Sequence, residues 1–130
     1  MRMIRIKGCM TIMKIRKIAE LLRAEVLCGE EFLDGEVCSA CGCDMMSDVL
    51  AFVKEQAVLI TGLCNPQVVR TAEMMDMRCI VFVRGKTPPP DVVALAKESG
   101  IVILTSNERM YVACGLLYAN GLSGGSVLDE

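Results

Sequence analysis

The chain has 130 residues, 53% of them hydrophobic, which is enough for one domain with a real core and too little for two. Its 14 Lys and Arg against 16 Asp and Glu leave a net charge of -2, and the basic residues are scattered beyond the first 23 positions, so nucleic acid is not the expected partner. No apolar run approaches the roughly 18 residues that cross a bilayer, so no membrane span is expected either.

Residues 1–12 alternate basic and apolar side chains, and Met10 and Met13 both offer alternative starts, so this segment reads as an extension outside the domain. A mitochondrial-type targeting helix is the competing reading, weakened by the segment's shortness and its lack of serine. Ile15, Ile18, Ala19 and Leu22 recur at i, i+3, i+4 and i+7 and predict a first helix over residues 14–23. A short strand at 25–28 ends at Gly29, an acidic turn fills 30–35, and a further strand is expected at about 36–40. A helix over 45–53 follows, with Asp44 or Ser47 as its cap and Val49, Leu50, Phe52 and Val53 facing inward.

Residues 57–104 carry the pattern around which the rest is arranged, two β-α-β crossovers that share their middle strand. The apolar run 58–61 stops at Gly62, and Asn65-Pro66 supplies an N-cap and a first-turn proline for a helix to about Asp76. Val68, Ala72 and Met75 fall on one face of that helix, opposite Gln67, Arg70 and Glu73. A second buried strand spans 78–83, residues 85–90 break the pattern, and a helix carrying Val92, Val93, Leu95 and Ala96 is closed by Gly100 before the strand 101–104. Thr105-Ser106-Asn107 is expected to cap a last helix in which Met110, Ala113, Cys114 and Leu117 repeat at helical spacing, with Asn120-Gly121 as its stop. Residues 123–130 hold Gly, Ser and acidic side chains, as a mobile tail would. Uninterrupted apolar strands separated by helices predict an α/β fold, a three-layer sandwich with a mainly parallel central sheet and right-handed connections.

The chemistry-bearing residues are few. Eight cysteines without a signal peptide, several of them in apolar strands or on helix faces, fit a reducing cytoplasm better than a secreted disulfide framework. Cys38, Cys41 and Cys43 form a C-x-x-C-x-C cluster that could ligate zinc or an iron–sulfur centre, but the chain has no His, and a fourth ligand would have to be Cys28, Cys64, Asp44 or a second subunit. Strand alternation sends Ser39 and Cys41 away from the face of Cys38 and Ala40, so packing is the favoured reading and a metal-free protein without cofactor is expected. Gly85-Lys86-Thr87 has the ending of a P-loop, yet Ile80 stands where the first glycine belongs and Pro88-Pro89-Pro90 follows. Without His, general acid–base work would fall to carboxylates such as Asp44 and Asp48, which capping and solvation explain, so no catalytic team is evident.

A binding site does follow from the fold, because ligands of parallel sheets sit beyond the carboxyl ends of the strands. Those ends bring Thr61, Gly62, Arg84, Gly85, Lys86, Thr105 and Ser106 toward one edge, joined as candidates by Asn65, Asp44 and Ser47 near the starts of the neighbouring helices. Hydroxyls, flexible backbone and two cations suit a phosphate or carboxylate group.

The order of a helix, V-L-C-G, E-V-C-S-A-C-G, D-M-M-S-D-V-L-A-F, V-L-I-T-G-L, N-P-Q-V-V-R-T-A and I-V-F-V-R-G resembles the DRTGG-domain family over nearly all of residues 13–122. That family is similar in fold to the N-terminal domain of HPr kinase/phosphorylase and, more remotely, to those of Mur ligases. Its members occur alone or joined to CBS-pair and phosphotransacetylase-type domains, which implies a regulatory or sensing role rather than catalysis. The Asp-Arg-Thr-Gly-Gly string itself is missing, and Cys43-Asp44-Met45-Met46-Ser47 stands in its place.

The expectation is therefore a non-catalytic cytoplasmic module that binds a small anionic metabolite or nucleotide at the carboxyl edge of its sheet. A ligand-free homo-oligomeric scaffold is the alternative, since the apolar excess suggests a surface covered in a homodimer or other homo-oligomer. A phosphate-handling enzyme relying on Asp44 and Asp48 is the third reading.

Overall fold

The computed structural model describes residues 12–52 and 56–124. In chain order these form β1 (Met13–Lys14), α1 (Ile15–Leu22), β2 (Glu25–Cys28), a 3-10 turn at Glu30–Phe32, β3 (Glu36–Val37), β4 (Ser39–Gly42) and α2 (Met46–Phe52). There follow β5 (Ala57–Thr61), α3 (Pro66–Met74), β6 (Cys79–Phe82), α4 (Pro90–Ser99), β7 (Val102–Thr105) and α5 (Met110–Ala119). Five strands make the central sheet in the order β2-β7-β6-β5-β4. The four from β4 to β7 run parallel, and β2 closes one edge antiparallel to β7.

Strands β5 and β6 are buried at every residue, as uninterrupted apolar runs in a covered parallel sheet must be. Alternation then divides their side chains between two cores. Val58, Ile60, Val81 and Leu104 meet Ile15, Ile18 and Leu22 of α1 and Ala113 and Leu117 of α5. On the other face Leu59, Ile80, Phe82 and Ile103 meet Val49, Val68, Ala72, Val92 and Ala96, contributed by α2, α3 and α4. The three-layer α/β sandwich is thus the observed architecture, mixed only by β2.

The topology also sets where the carboxyl edge opens. Strands β4, β5, β6 and β7 lie side by side in chain order, and the three connecting helices all cover one face, as right-handed crossovers in a single direction require. After β7 the chain crosses to the opposite face, where α5 packs beside α1. The loops leaving β6 and β7 therefore depart toward opposite layers.

Differences from expectation concentrate at short elements. The strand expected at 36–40 is two pieces: β3 pairs antiparallel with β1, setting Val37 against Met13, and β4 joins the large sheet beside β5. Cys38 marks the handover, its N–H donating to Gln56 O at 2.8 Å. A pairing two residues long has no periodicity to read. The last helix starts at Met110 behind Arg109, which offers no side-chain cap, so the Thr105-Ser106-Asn107 cap is not formed. Ser106 turns its hydroxyl inward instead. Ser123, placed by composition in the tail, accepts the Ala40 N–H through its carbonyl at 2.9 Å and lies along β4. The extension up to residue 11, the inward position of Val53 and the tail from residue 125 fall outside the described residues. Among the described residues no helix is long and apolar enough to cross a membrane.

Candidate functional site

Asp44 follows β4 on an exposed loop; α2 starts at Met46, so the capping position is Met45 and Asp44 stands one residue before it. Its Oδ1 accepts two hydrogen bonds across the sheet edge, from Thr61 Oγ1 and from the Gly62 N–H, both at 2.8 Å. Thr61 Oγ1 in turn accepts the Leu63 N–H at 3.1 Å, so one carboxylate and one hydroxyl fix the whole turn after β5. The Gly62 N–H is the main reason that the Asp44 carboxyl is held below its ordinary range; partial burial opposes it, while the Thr61 hydroxyl, Arg84 and Lys86 add to it.

The turn after β6 is built differently. Arg84 and Gly85 both adopt left-handed backbone, at φ 63° and 69°. Glycine accepts this freely, but arginine does so against steric preference, so the turn must be held by its surroundings. It is: the Arg84 N–H donates to Glu108 O at 2.7 Å, the Gly85 N–H to Ser106 O at 2.9 Å, and the Lys86 N–H to Val83 O at 3.3 Å. This conformation lays the Arg84 guanidinium over Gly62, where any Cβ would overlap it. Gly62 has an ordinary backbone, and its missing side chain leaves room for the end of the Arg84 side chain.

These bonds change the chemistry of the edge. The loops after β6 and β7 use their N–H groups on each other, so they do not form the open cradle of backbone donors that parallel-sheet sites often present. Thr105 Oγ1 donates to Lys86 O at 2.7 Å. Ser106 is 2% exposed, its hydroxyl donating to Leu22 O at 2.8 Å and accepting the Glu108 N–H at 3.2 Å. Asn65 caps α3, accepting the Val68 N–H at 3.3 Å, and Ser47 lies exposed within α2. Of the sequence candidates, then, Thr105, Ser106 and Asn65 hold the scaffold, while Asp44, Thr61, Gly62, Arg84 and Lys86 share one edge. Ion pairs among the described residues join Arg16 to Asp34 and Arg78 to Asp76, and neither Arg84 nor Lys86 takes part in one.

Two residues lie near this edge that the sequence reading did not place there, Glu108 and Cys64, the latter considered only as a metal ligand. Glu108 supplies the carbonyl that holds Arg84, and Cys64 sits half-buried close enough to Lys86 and Arg84 that both oppose the rise that burial imposes on its thiol. No local pattern marks either. Within the cysteine cluster Cys41 and Cys43 both pack on the α2–α4 side, opposite Ala40, and Cys38 already has a partner. The Cys43 Sγ accepts the Met45 N–H at 3.3 Å. Among the described residues no three His, Cys, Asp or Glu side chains come together as a metal-binding group.

No curated protein sequence matches the chain. Among solved structures, it is similar to the regulatory region of Clostridium perfringens pyrophosphatase, comprising CBS and DRTGG domains and complexed with the activator diadenosine tetraphosphate. The two share 20% identity at a TM-score of 0.67, over 80% of this chain and 45% of that one, so this chain spans less than half of its neighbour's length. The model of the DRTGG domain matches residues 17–118, from the first turn of α1 to the last turn of α5, and so takes in every strand of the central sheet and both residues of the Asp44–Gly62 bridge. With the family model spanning most of its length and the sheet and helices arranged as in a DRTGG-containing structure, the chain belongs to the DRTGG domain family.

Proposed function

We propose that this chain is a non-catalytic regulatory module that binds a small anionic metabolite or nucleotide at the carboxyl edge of its sheet. The observation that carries this reading is the pair of cations Arg84 and Lys86, which join no ion pair among the described residues and share an edge with the turn that Asp44 pins in place. Holding arginine in left-handed backbone is costly, and strain of that kind persists where surroundings enforce a particular side-chain position. Arg84 would clamp a phosphate or carboxylate through its fork of donors, Lys86 would add a point charge, and Gly62 leaves room for the Arg84 guanidinium at this edge.

The neighbouring pyrophosphatase region, which contains a DRTGG domain and is complexed with a nucleotide activator, supports a regulatory reading and a nucleotide as the first ligand class to try. With no His in the chain, the site has no side chain that titrates near neutrality in its ordinary state, which fits binding better than turnover.

Thermal-shift screening of the full chain against nucleotides, acyl phosphates and sugar phosphates tests the proposal. A ligand present at a hundredfold excess over its Kd stabilises the folded state by about 2.7 kcal/mol, a shift of several degrees. The active compound should lose its effect in Arg84→Ala. If no compound shifts the transition, or if Arg84→Ala leaves the shift intact, the site is misplaced.

A further inference from the structure

α5 is ten residues long, MYVACGLLYA, and has no charged side chain. A helix apolar all round asks for burial all round, yet only Ala113 and Leu117 are buried within this chain. Its outward face leaves Tyr111 89% and Tyr118 75% exposed. With Gly115 between them, these tyrosines form one wall of a groove of about 560 Å³, whose other wall includes Ala40 and Gly42 of β4.

Among the described residues nothing packed against Gly115 accounts for it. A Cβ built there would meet no heavy atom within 4 Å, so no close approach demands glycine, and its backbone is not left-handed. Glycine in mid-helix nevertheless lowers helix stability relative to alanine. A bare patch of helix backbone repays that loss only to something packed against it.

We infer that this face is the contact surface for a second copy of the chain, two α5 helices crossing antiparallel at Gly115 about a two-fold axis. The pattern Tyr111, Gly115, Tyr118 has spacings of four and three, so it reads almost alike in both directions: glycine faces glycine at the crossing, and Tyr111 of each copy comes beside Tyr118 of the other. Charge favours the same occupant. A two-fold axis brings identical residues together, and α5 has no charge to repel its own image. Two tyrosines at 150–250 Å² each, with Val112 and the groove wall, amount to on the order of 500 Å² per copy, the lower end for a specific interface. The dimer should accordingly form in the micromolar range.

Sedimentation of the full chain without nucleotide, across the micromolar range, reads this directly and makes no use of Arg84, so its outcome is independent of the ligand site. The mass should climb from 14.2 kDa toward twice that value with concentration. Gly115→Leu places a side chain in space that is open within one copy but closed between two, so it should raise the melting temperature of the monomer and weaken association at least tenfold. Tyr111→Lys, with no packing to lose in the monomer, should do the same to association. A mass that stays at the monomer value throughout, or a dimer that either variant leaves as tight as before, overturns the inference.

Discussion

The guanidinium of Arg84 occupies the space over Gly62 that a Cβ at that position would need. In Gly62→Ala the side chain must swing away, and since what yields is the end of a long flexible chain, the fold should lose little stability. Affinity for the anionic ligand found by screening should fall about tenfold, or about 1.4 kcal/mol. Isothermal titration of both forms measures this, and equal affinities would remove the Gly62–Arg84 contact from the site.

Asp44 should behave as an acid-sensitive clamp. Its folded pKa is depressed below the ordinary 3.8, chiefly by the Gly62 N–H, so the stability it contributes is complete above 3.8 and is lost as pH falls through the lower folded value. Asp44→Ala removes both bonds to the β5 turn and should cost about 2 kcal/mol at neutral pH. Urea melts from pH 7 to pH 3 should show the variant and the wild type converging at the acid end. Curves that stay parallel would deny Asp44 this role.

Ser106 should prove structural. Ser106→Ala leaves Leu22 O and the Glu108 N–H without their partner in a buried setting, at a cost of about 1–3 kcal/mol. Ligand affinity of the folded variant should match the wild type, because the hydroxyl points into the core between α1 and the loop before α5. Denaturant melts and titrations on the same preparation separate the two effects; a loss of affinity with stability intact would return Ser106 to the site.

The thiols should hold no metal. Elemental analysis of protein purified anaerobically is expected to show neither zinc nor iron in stoichiometric amount, and chelators should leave the melting temperature alone. Stoichiometric metal that disappears in Cys41→Ser would contradict this. Cys79 is fully buried and burial pushes its pKa up, so alkylation of the native protein should spare it.

The sequence alone determined the β5-α3-β6-α4-β7 block, because strands covered on both faces must be apolar at every position and helices between them must alternate. Residues 58–61 and 66–74 could hardly be read otherwise, with Asn65-Pro66 opening the helix as its hydrogen bond to Val68 confirms. Gly100 as a left-handed helix stop was equally plain. Local order was legible wherever burial is periodic.

Tertiary structure decided the rest, for a physical reason that recurs at each site. Whether residues 36–40 form one strand or two depends on Met13 lying opposite Val37, a pairing that only the return of α1 creates. Whether Asp44 caps its own helix or reaches Thr61, 17 residues onward, depends on β4 and β5 running parallel in register, so that both loops leave the same edge. The loops at the carboxyl edge form no open cradle of backbone donors because the N–H groups of Arg84 and Gly85 found carbonyls at Glu108 and Ser106, in a loop brought near by β6 and β7 lying side by side. Residue type sets what a hydroxyl, carboxylate or N–H can bond, but the partner it finds belongs to whichever distant segment the sheet delivers.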